Sequence, residues 1–305
     1  MAGGVVEVLM MLLDREKCKD DFEKHFSKQK DALVEMVDYG AQLIERAYSA
    51  SKKGLDDYIV VCVLFNHIVT MIDAVTELVS SGLVHPASMQ ARSAFEASIF
   101  IEWMLKEKTL ERATFYYVSD LRNRRIWALR MLKGTAEQSE FEKDLQDMAK
   151  YLAFNDASVR KMAQEELEYV EGGLRQSDFV EVNSRFQKYY RKNKREADWY
   201  QPLLGGRLRK MAKEVGRFAE YAWFYEKSSR GIHAASPRDY TFSLGNGLVG
   251  LLAIRRLDDI HDLLGFVVYS IILHTYRIII GHYLTDDEMT VFRRTYIDNW
   301  RKAFL

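Results

Sequence analysis

Apolar side chains recur every three or four residues along most of this 305-residue chain, and charged residues fill many of the positions between them. A period near 3.6 predicts amphipathic helices, whereas strands would show alternating apolar and polar residues enriched in β-branched side chains. No stretch shows that alternation. We therefore predict an all-α protein, a multi-helix bundle without strands. The predicted helices cover residues 17–47, 55–79, 86–106, 110–132, 137–152, 158–174, 179–192, 207–230, 248–283 and 286–303.

Short turn-forming stretches separate these helices. Ser80–Ser81–Gly82 ends one helix and Pro86 begins the next, because proline is favoured in a first helical turn. Gly172–Gly173 and Gly205–Gly206 mark further breaks. Gly245–Asn246–Gly247 marks a loop before the last apolar block.

The helical segments differ in their apolar content. Tyr58–Val79, Val84–Leu105 and Leu248–Leu284 are strongly apolar, so we expect them to form the central bundle. The charged, amphipathic stretch at residues 133–195 indicates an outer helical insertion. The length allows one large domain or two small ones, and we predict a single helical domain over residues 1–305 with that insertion.

The charge balance and the cysteine count indicate which partners and which cellular compartment to expect. Lysine plus arginine and aspartate plus glutamate number 44 each, giving zero net charge, whereas a protein that coats nucleic acid is normally basic overall. No DNA partner is predicted, but local basic patches leave RNA as a candidate partner. The only two cysteines, Cys18 and Cys62, are too few for a disulfide framework, and Cys62 lies in an apolar run. We expect a cytoplasmic protein.

One apolar segment is long enough to raise the question of a membrane. Residues 263–284 contain His274, Arg277 and His282, and an arginine at mid-membrane costs about 2.5 kcal/mol or more. We predict a buried core helix there and no membrane partner. The N-terminal residues 1–13 lack the basic region of a secretory signal, so none is expected.

Polar residues at helical spacing within apolar helices are candidates for a site. Arg92 and Glu96 lie four residues apart and can pair on one helix face, either as a structural buttress or as site residues. A second set recurs at intervals of four residues and offers phenols, a hydroxyl and an imidazole: Tyr221, Tyr225, Ser229 and His233. A third stripe faces either water or the bundle interior: Asn66, Thr70, Asp73 and Glu77.

The order of several short motifs identifies a resemblance. They are Arg92-x3-Glu96, Asp198–Trp199, Leu208–Gly216 and Tyr225-x3-Ser229-x-Gly231-Ile232-His233. Over residues 58–236 this order resembles a bacterial helical family, the domain of unknown function 5677. Ser228–Ser229 stands where the family pattern has Leu-Ser. The resemblance implies a helical fold and no established activity.

That family is broadly similar to HEPN-type helical proteins, many of which are metal-independent ribonucleases of defence and toxin–antitoxin systems. Their signature is Arg-x4–6-His, in which the two side chains promote attack by the RNA 2′-hydroxyl. Arg230 and His233 are too close together to match it. Two pairs fit the spacing but lack the polar residue that commonly follows the arginine: Arg256 with His261, and Arg277 with His282.

Two basic stretches combine cations with aromatic rings, a mixture suited to single-stranded RNA. The predicted RNA-binding residues are Tyr190, Arg191, Lys192, Lys194 and Arg195. The other stretch is Arg122–Arg125 with Trp127 and Arg130. The alternative interpretation of each stretch is a helix face that is simply exposed to solvent.

Metal and cofactor chemistry finds little support in the sequence. A di-iron bundle needs two Glu-x2-His-type motifs, and only Asp258-x2-His261 has that spacing. No Cys/His array indicates zinc, and no glycine-rich phosphate loop follows a strand. Ser229 and His233, one helical turn apart, rarely give the geometry of a nucleophile and its base. We expect no cofactor.

Two hypotheses of function remain. In the first, a HEPN-like effector cleaves or binds RNA: His233 is the general acid/base, Arg92 holds phosphate, and Glu96, Tyr225 and Ser229 complete the catalytic set. In the second, the chain is a non-enzymatic interaction module that forms a homodimer or binds a partner protein. The same polar groups then form a structural network.

Overall fold

The computed structural model describes residues 12–146, 156–226, 240–245 and 248–304. Within these ranges the chain forms twelve helices and one two-stranded hairpin, which confirms the predicted all-α helical bundle. The helices are α1 (Arg15–Ala50), α2 (Leu55–Ser80), α3 (Val84–Lys106), α4 (Thr109–Met131), α5 (Ala136–Leu145), α6 (Ala157–Leu174), α7 (Ser177–Asn193), α8 (Gln201–Leu204), α9 (Leu208–Glu214), α10 (218–225), α11 (Ile260–Tyr283) and α12 (Asp286–Asp298). The hairpin strands are β1 (Thr241–Gly245) and β2 (Leu248–Leu251).

One predicted helix is interrupted, and part of another lies outside the described residues. The single helix predicted over residues 207–230 is wrong, because α9 ends at Glu214 and α10 begins at Phe218. Gly216 lies between them with a φ of +80°, a left-handed conformation that ends a helix and that glycine adopts without strain. The helix predicted over residues 137–152 is observed as far as Leu145, and residues 147–155 lie outside the described residues.

The contacts divide the chain into two compact units. The first unit comprises Met1–Glu107 and Leu208–Leu305, and the second comprises Lys108–Arg207. The charged stretch at 133–195 falls within the second unit. The description of a single domain with an outer insertion stays a prediction.

The core of the first unit is formed by α1, α2, α3 and α11, with α2 packed between α1 and α3. Tyr276 on α11 is fully buried and its hydroxyl donates a hydrogen bond of 2.8 Å to the Met36 carbonyl on α1. This approach depends on Gly40, because a Cβ there would overlap the Tyr276 hydroxyl. The polar stripe on α2 is exposed to solvent along its length: Asn66, Thr70, Asp73 and Glu77.

Within the described residues, three helices contain π-helical segments. They occupy Tyr58–Phe65 in α2, Tyr221–Tyr225 in α10 and Phe266–Ile272 in α11. Such widened turns are rare and frequently occur at functional sites. They were not predicted, because apolar side chains fill these turns just as they fill α-helical ones.

Two described helices are long and apolar enough to cross a membrane by length and composition alone, α2 and α11. Their most apolar windows are 56% and 61% buried within the structure. Mostly buried core helices of soluble proteins pass the same test, so this is weak evidence for a membrane. The core-helix prediction for residues 263–284 agrees with the packing of α11 against α1 and α3.

The hairpin corrects the prediction that no strands form and that helix begins at residue 248. β1 and β2 pair antiparallel, with Phe242 opposite Gly250. A Cβ on Gly250 would lie 2.5 Å from the Phe242 ring, so the lack of a side chain at position 250 leaves space for that ring against β2. The signal was present in Gly245–Asn246–Gly247, because Asn-Gly between apolar runs is typical of hairpins as well as of loops.

The second unit is built from α4 to α8. Phe115 on α4 packs against Phe186 on α7, with ring centroids 5.4 Å apart. The Arg185 guanidinium lies 4.6 Å from the Phe115 ring centroid and donates a hydrogen bond of 2.9 Å to Glu111. This unit carries the basic residues that the sequence predicts to contact RNA.

Candidate functional site

Three of the predicted site residues meet in the first unit. Arg92 and Glu96 lie one turn apart on α3, and Tyr225 lies in the π-helical part of α10. The Tyr225 hydroxyl donates a hydrogen bond of 2.8 Å to Glu96 Oε2. The Arg92 guanidinium carbon lies 4.0 Å from the centroid of the Tyr225 ring. The fold therefore brings these three side chains together in one cluster.

The partners within this cluster differ from the expected ones. Within the described residues no ion pair joins Arg92 to Glu96, so the predicted i,i+4 pairing on one helix face does not form. Glu96 accepts from Tyr225 instead, and Arg92 stacks on the face of that ring. In the same described part of the chain, Arg92 Nε is buried and has no hydrogen-bond partner. Leaving such a donor unpaired costs about 1–3 kcal/mol.

The protonation of Tyr225 follows from its surroundings. Burial raises the pKa of Tyr225 well above its usual value, and the Glu96 charge and hydrogen bond raise it further, while Arg92 lowers it. Burial also raises the pKa of Tyr221, its neighbour one turn earlier. Both phenols therefore stay protonated at neutral pH, and Tyr225 acts as a hydrogen-bond donor rather than as a base.

Aromatic rings on α10 form a stack that ends at Arg92. The rings of Tyr221 and Tyr225 are 5.0 Å apart and 20° from parallel. Phe218 stacks on Tyr221 at 6.3 Å, and Lys213 lies 4.9 Å from the Phe218 centroid. Each cation over an aromatic face contributes roughly 0.5–2 kcal/mol. The stack holds the Tyr225 ring, and with it Arg92, in a fixed orientation.

Arg217, which no sequence pattern had indicated, holds α10 against its neighbours. Its side chain is 4% exposed, and its guanidinium donates to Ser98 Oγ at 2.9 Å, to Glu220 at 2.5 Å and to the Ser270 carbonyl. It also lies over the Phe95 ring at 4.7 Å. Ser270 belongs to a π-helical segment, whose irregular ladder leaves a carbonyl available to a side chain.

A carboxylate–histidine pair adjoins Arg217. His274 Nε2 and Glu102 Oε2 are 2.9 Å apart, and Arg217 Nη1 lies 3.7 Å from the same carboxylate oxygen. Arg277 Nη2 is 3.5 Å from His274 Nδ1. This assigns Nε2 as the donor to Glu102 and Nδ1 as the acceptor. The signal for the pair was available, because a histidine in an apolar helix needs a polar partner.

Two of the predicted catalytic residues, Ser229 and His233, lie outside the described residues. The role of His233 as general acid/base therefore stays a prediction. Of the two pairs with Arg-x4-His spacing, His261 packs on Phe26 at 4.9 Å and His282 on Tyr283 at 4.6 Å.

The predicted RNA-binding residues lie at the end of α7 and just beyond it, in the second unit. All of them are exposed: Tyr190, Arg191, Lys192, Lys194 and Arg195. Arg191 and Lys192 occupy the last turn of the helix, where cations are also stabilised by the helix dipole. Tyr190 is 47% exposed. Its ring is available for stacking, and the helix dipole does not account for it.

Metal coordination finds no support in the part of the chain that the structure describes. There, no group of three or more histidine, cysteine, aspartate or glutamate side chains is placed to hold a metal ion. The carboxylates of the candidate site accept from a phenol, a histidine and an arginine. The side chains of the candidate site therefore offer hydrogen-bond donors, hydrogen-bond acceptors and charged groups.

The family of the chain follows from comparison with known proteins. A family model described as a family of unknown function (DUF5677) matches residues 58–246, more than half of the chain. Comparisons with curated proteins and with solved structures gave no match. The matched range contains Arg92, Glu96 and Tyr225. The chain therefore belongs to the DUF5677 family of unknown function.

Proposed function

We propose that the cluster of Arg92, Glu96 and Tyr225 is the phosphate-binding part of a metal-independent site acting on RNA. In this proposal the chain is a HEPN-like effector of the bacterial cytoplasm, in a defence or toxin–antitoxin setting. The observation that carries it is the position of Arg92, which lies over the Tyr225 ring while Glu96, one turn away on the same helix, accepts a hydrogen bond from Tyr225.

An arginine in this position is suited to an external anion. A structural arginine on an apolar helix is normally neutralised by a carboxylate, because an unpaired buried charge is destabilising. Here Tyr225 donates to the Glu96 carboxylate at 2.8 Å, and within the described residues no ion pair joins the half-buried Arg92 to Glu96. A phosphodiester group supplies acceptors that match the planar guanidinium.

The other members of the set position the reacting groups. Tyr225, held protonated by burial, donates to Glu96 and so fixes that carboxylate next to the arginine. In the proposed reaction His233 takes the proton from the RNA 2′-hydroxyl, and the 2′-oxygen bonds to the adjacent phosphorus as the bond from phosphorus to the 5′-oxygen breaks. The departing 5′-oxygen takes up the proton from the imidazolium, which leaves a 2′,3′-cyclic phosphate and a 5′-hydroxyl. Arg92 stabilises the charge that develops on the phosphate oxygens. Ser229, one turn before His233 in the sequence, completes the set.

The exposed residues at the end of α7 support an RNA substrate. An exposed tyrosine beside four cations offers a stacking surface and phosphate contacts within a short stretch of chain. The residues proposed to contact the strand are Tyr190, Arg191, Lys192, Lys194 and Arg195. We propose no DNA partner, because the whole chain carries no net positive charge.

The alternative is a protein-interaction module, and one observation favours it. Val249, Leu251 and Ile254 on and after β2 are 66%, 59% and 61% exposed. Exposed apolar side chains along a strand are suited to a second copy of the chain or to a partner protein. Under this alternative the Glu96–Tyr225 hydrogen bond and the Arg92 stack are purely structural.

The test is incubation of the purified chain with total bacterial RNA and with tRNA in the presence of EDTA. The variants are Arg92→Ala, His233→Ala and, as a matched control, Arg293→Ala, an exposed arginine on α12. We expect discrete cleavage by the wild type and by Arg293→Ala. Loss of a general acid/base lowers rates by roughly 10²–10⁴-fold, so His233→Ala should be nearly inactive.

Intact RNA with every variant would contradict the proposal. If Arg92→Ala were then also markedly less stable than Arg293→Ala in urea, the structural alternative would be favoured. Analytical ultracentrifugation of wild type and Leu251→Lys would follow, because a dimer through the hairpin should dissociate when a charge is placed on β2.

A further inference from the structure

A groove of about 440 Å³ lies in the first unit, away from Arg92 and Tyr225. Its volume is within the range of small-molecule sites. It is lined by Glu102, Leu105, Lys106, Val215, Ile278, Gly281 and His282. Three of these side chains are polar and three are apolar. The groove is therefore suited to a small ligand with both kinds of surface.

Glu102 is a carboxylate held in place within this groove. Its side chain is 20% exposed, and its Oε2 lies 2.9 Å from His274 Nε2 and 3.7 Å from Arg217 Nη1. Arg217 is itself fixed by Ser98 and Glu220. A carboxylate fixed by partners behind it loses little freedom when it binds a cation in front, which favours recognition of an ammonium group.

The cationic side of the groove lies one helical turn away. Lys106 follows Glu102 by four residues on α3, so the two side chains share a face of the helix. Within the described residues they do not form an ion pair with each other. The Lys106 ammonium donates to the Glu214 carbonyl and has two further N–H donors. His282, exposed on α11, supplies an imidazole at the same groove.

The remaining wall is apolar and has room. Leu105, Val215 and Ile278 present aliphatic side chains to the groove. Gly281 also lines the groove, and among the described residues the nearest atom to a Cβ at this position is Met289 Cε, at 3.8 Å, an ordinary van der Waals distance. We therefore expect a larger side chain at this lining position to narrow the groove.

We propose that this groove binds a small zwitterion of the amino-acid type with an aliphatic side chain. Glu102 holds the ammonium group, Lys106 and His282 hold the carboxylate, and Leu105, Val215 and Ile278 contact the side chain. The assignment rests on charge complementarity, because the groove presents a fixed carboxylate, Glu102, and, one helical turn away on α3, the separate ammonium group of Lys106. It is independent of the RNA-directed function proposed above.

The test is isothermal titration calorimetry of the whole chain with L-leucine, N-acetyl-L-leucine and L-leucinamide. The second compound lacks the ammonium group and the third lacks the carboxylate. We expect leucine to bind at millimolar concentration or below. Each blocked compound should bind roughly tenfold or more weakly, because each loses a hydrogen bond to a charged group.

Two variants locate the binding. Gly281→Phe should fill the groove and abolish binding, and Gly172→Phe is its matched control, at another helical glycine with open space around its Cβ position. His282→Ala removes an exposed donor without touching the Glu102 network and should weaken leucine binding. Absence of leucine binding by the wild type, equal binding of the blocked compounds, or unchanged binding by Gly281→Phe would each overturn the proposal.

Discussion

Tyr225 and Glu96 are 129 residues apart in sequence, yet the tyrosine hydroxyl donates a 2.8 Å hydrogen bond to the glutamate carboxylate. The bond joins α10 to α3 at the site proposed to hold phosphate. Arg92, one turn away from Glu96 on the same helix, lies over the Tyr225 ring and forms no ion pair with Glu96 within the described residues. Glu96 is therefore bonded to a residue far away in the sequence, although Arg92 lies only four residues from it.

Tyr225→Phe should remove this bond while keeping the ring on which Arg92 stacks. The half-buried Glu96 carboxylate loses its donor, so we expect the free energy of unfolding to fall by about 1–3 kcal/mol. Urea denaturation measures the change, with Tyr58→Phe as the control because Tyr58 is half exposed. Equal stability of the two variants would mean that the Glu96–Tyr225 bond contributes nothing net.

Arg217→Ala should be far more damaging than the loss of an exposed arginine. It leaves Glu220 and Glu102 without their buried cation, and breaking a buried pair costs about 3–5 kcal/mol. Arg209→Ala is the matched control, because Arg209 also faces a carboxylate, Glu226, but at 3.8 Å and in solvent. An exposed pair contributes about 0–1 kcal/mol, so its melting temperature should barely move.

Gly40→Ala should destabilise the first unit even though alanine is the better helix former. The new methyl group would overlap the Tyr276 hydroxyl, which cannot withdraw from a filled core, and overpacking costs about 1–3 kcal/mol. Gly172→Ala, in a helix with open space, should instead stabilise by about 0.5–1 kcal/mol. The two variants should therefore shift the urea midpoint in opposite directions.

The free energy of unfolding should fall at high pH, because the unfolded state loses protons that the buried tyrosine hydroxyls keep. The pKa of Tyr225 is raised above the ordinary value of 10.0, so the folded state keeps a proton that the unfolded state loses. The contribution is fully present below pH 10 and is lost as the pH rises beyond it. Denaturant midpoints measured from pH 8 upward should fall less steeply for Tyr225→Phe than for wild type. Parallel curves would show that Tyr225 is not the group responsible.

RNA binding through the end of α7 should depend on salt. Replacing Lys192, Lys194 and Arg195 with glutamine should flatten the plot of log K against log salt by about 0.7 for each phosphate that these cations neutralise. The control replaces Arg293, Arg294 and Lys302, three exposed cations of the first unit, and changes the net charge equally. Identical slopes would indicate that the α7 residues do not bind phosphate.

The helices could be predicted because the spacing of apolar residues is visible within each short segment of the sequence. Arg92, Glu96 and Tyr225 could be picked out from the sequence as candidate site residues, because each is polar within an apolar helix. The hydrogen bonds that they form could not be predicted. Arg217 could not be predicted, because its partners Ser98 and Ser270 lie more than 50 residues away and one of them contributes only a backbone carbonyl. The hairpin was missed because its turn sequence also fits a loop.

The π-helical segment Phe266–Ile272 has a consequence for how this chain can change over evolutionary time. A loop absorbs an insertion or a deletion, but one residue removed from this segment would turn everything after it by about 100°. His274 would then leave Glu102, and Arg277 would face a different neighbour. In homologous chains the distance in residues from Leu263 to His274 should therefore be fixed more strictly than the identities of the residues between them.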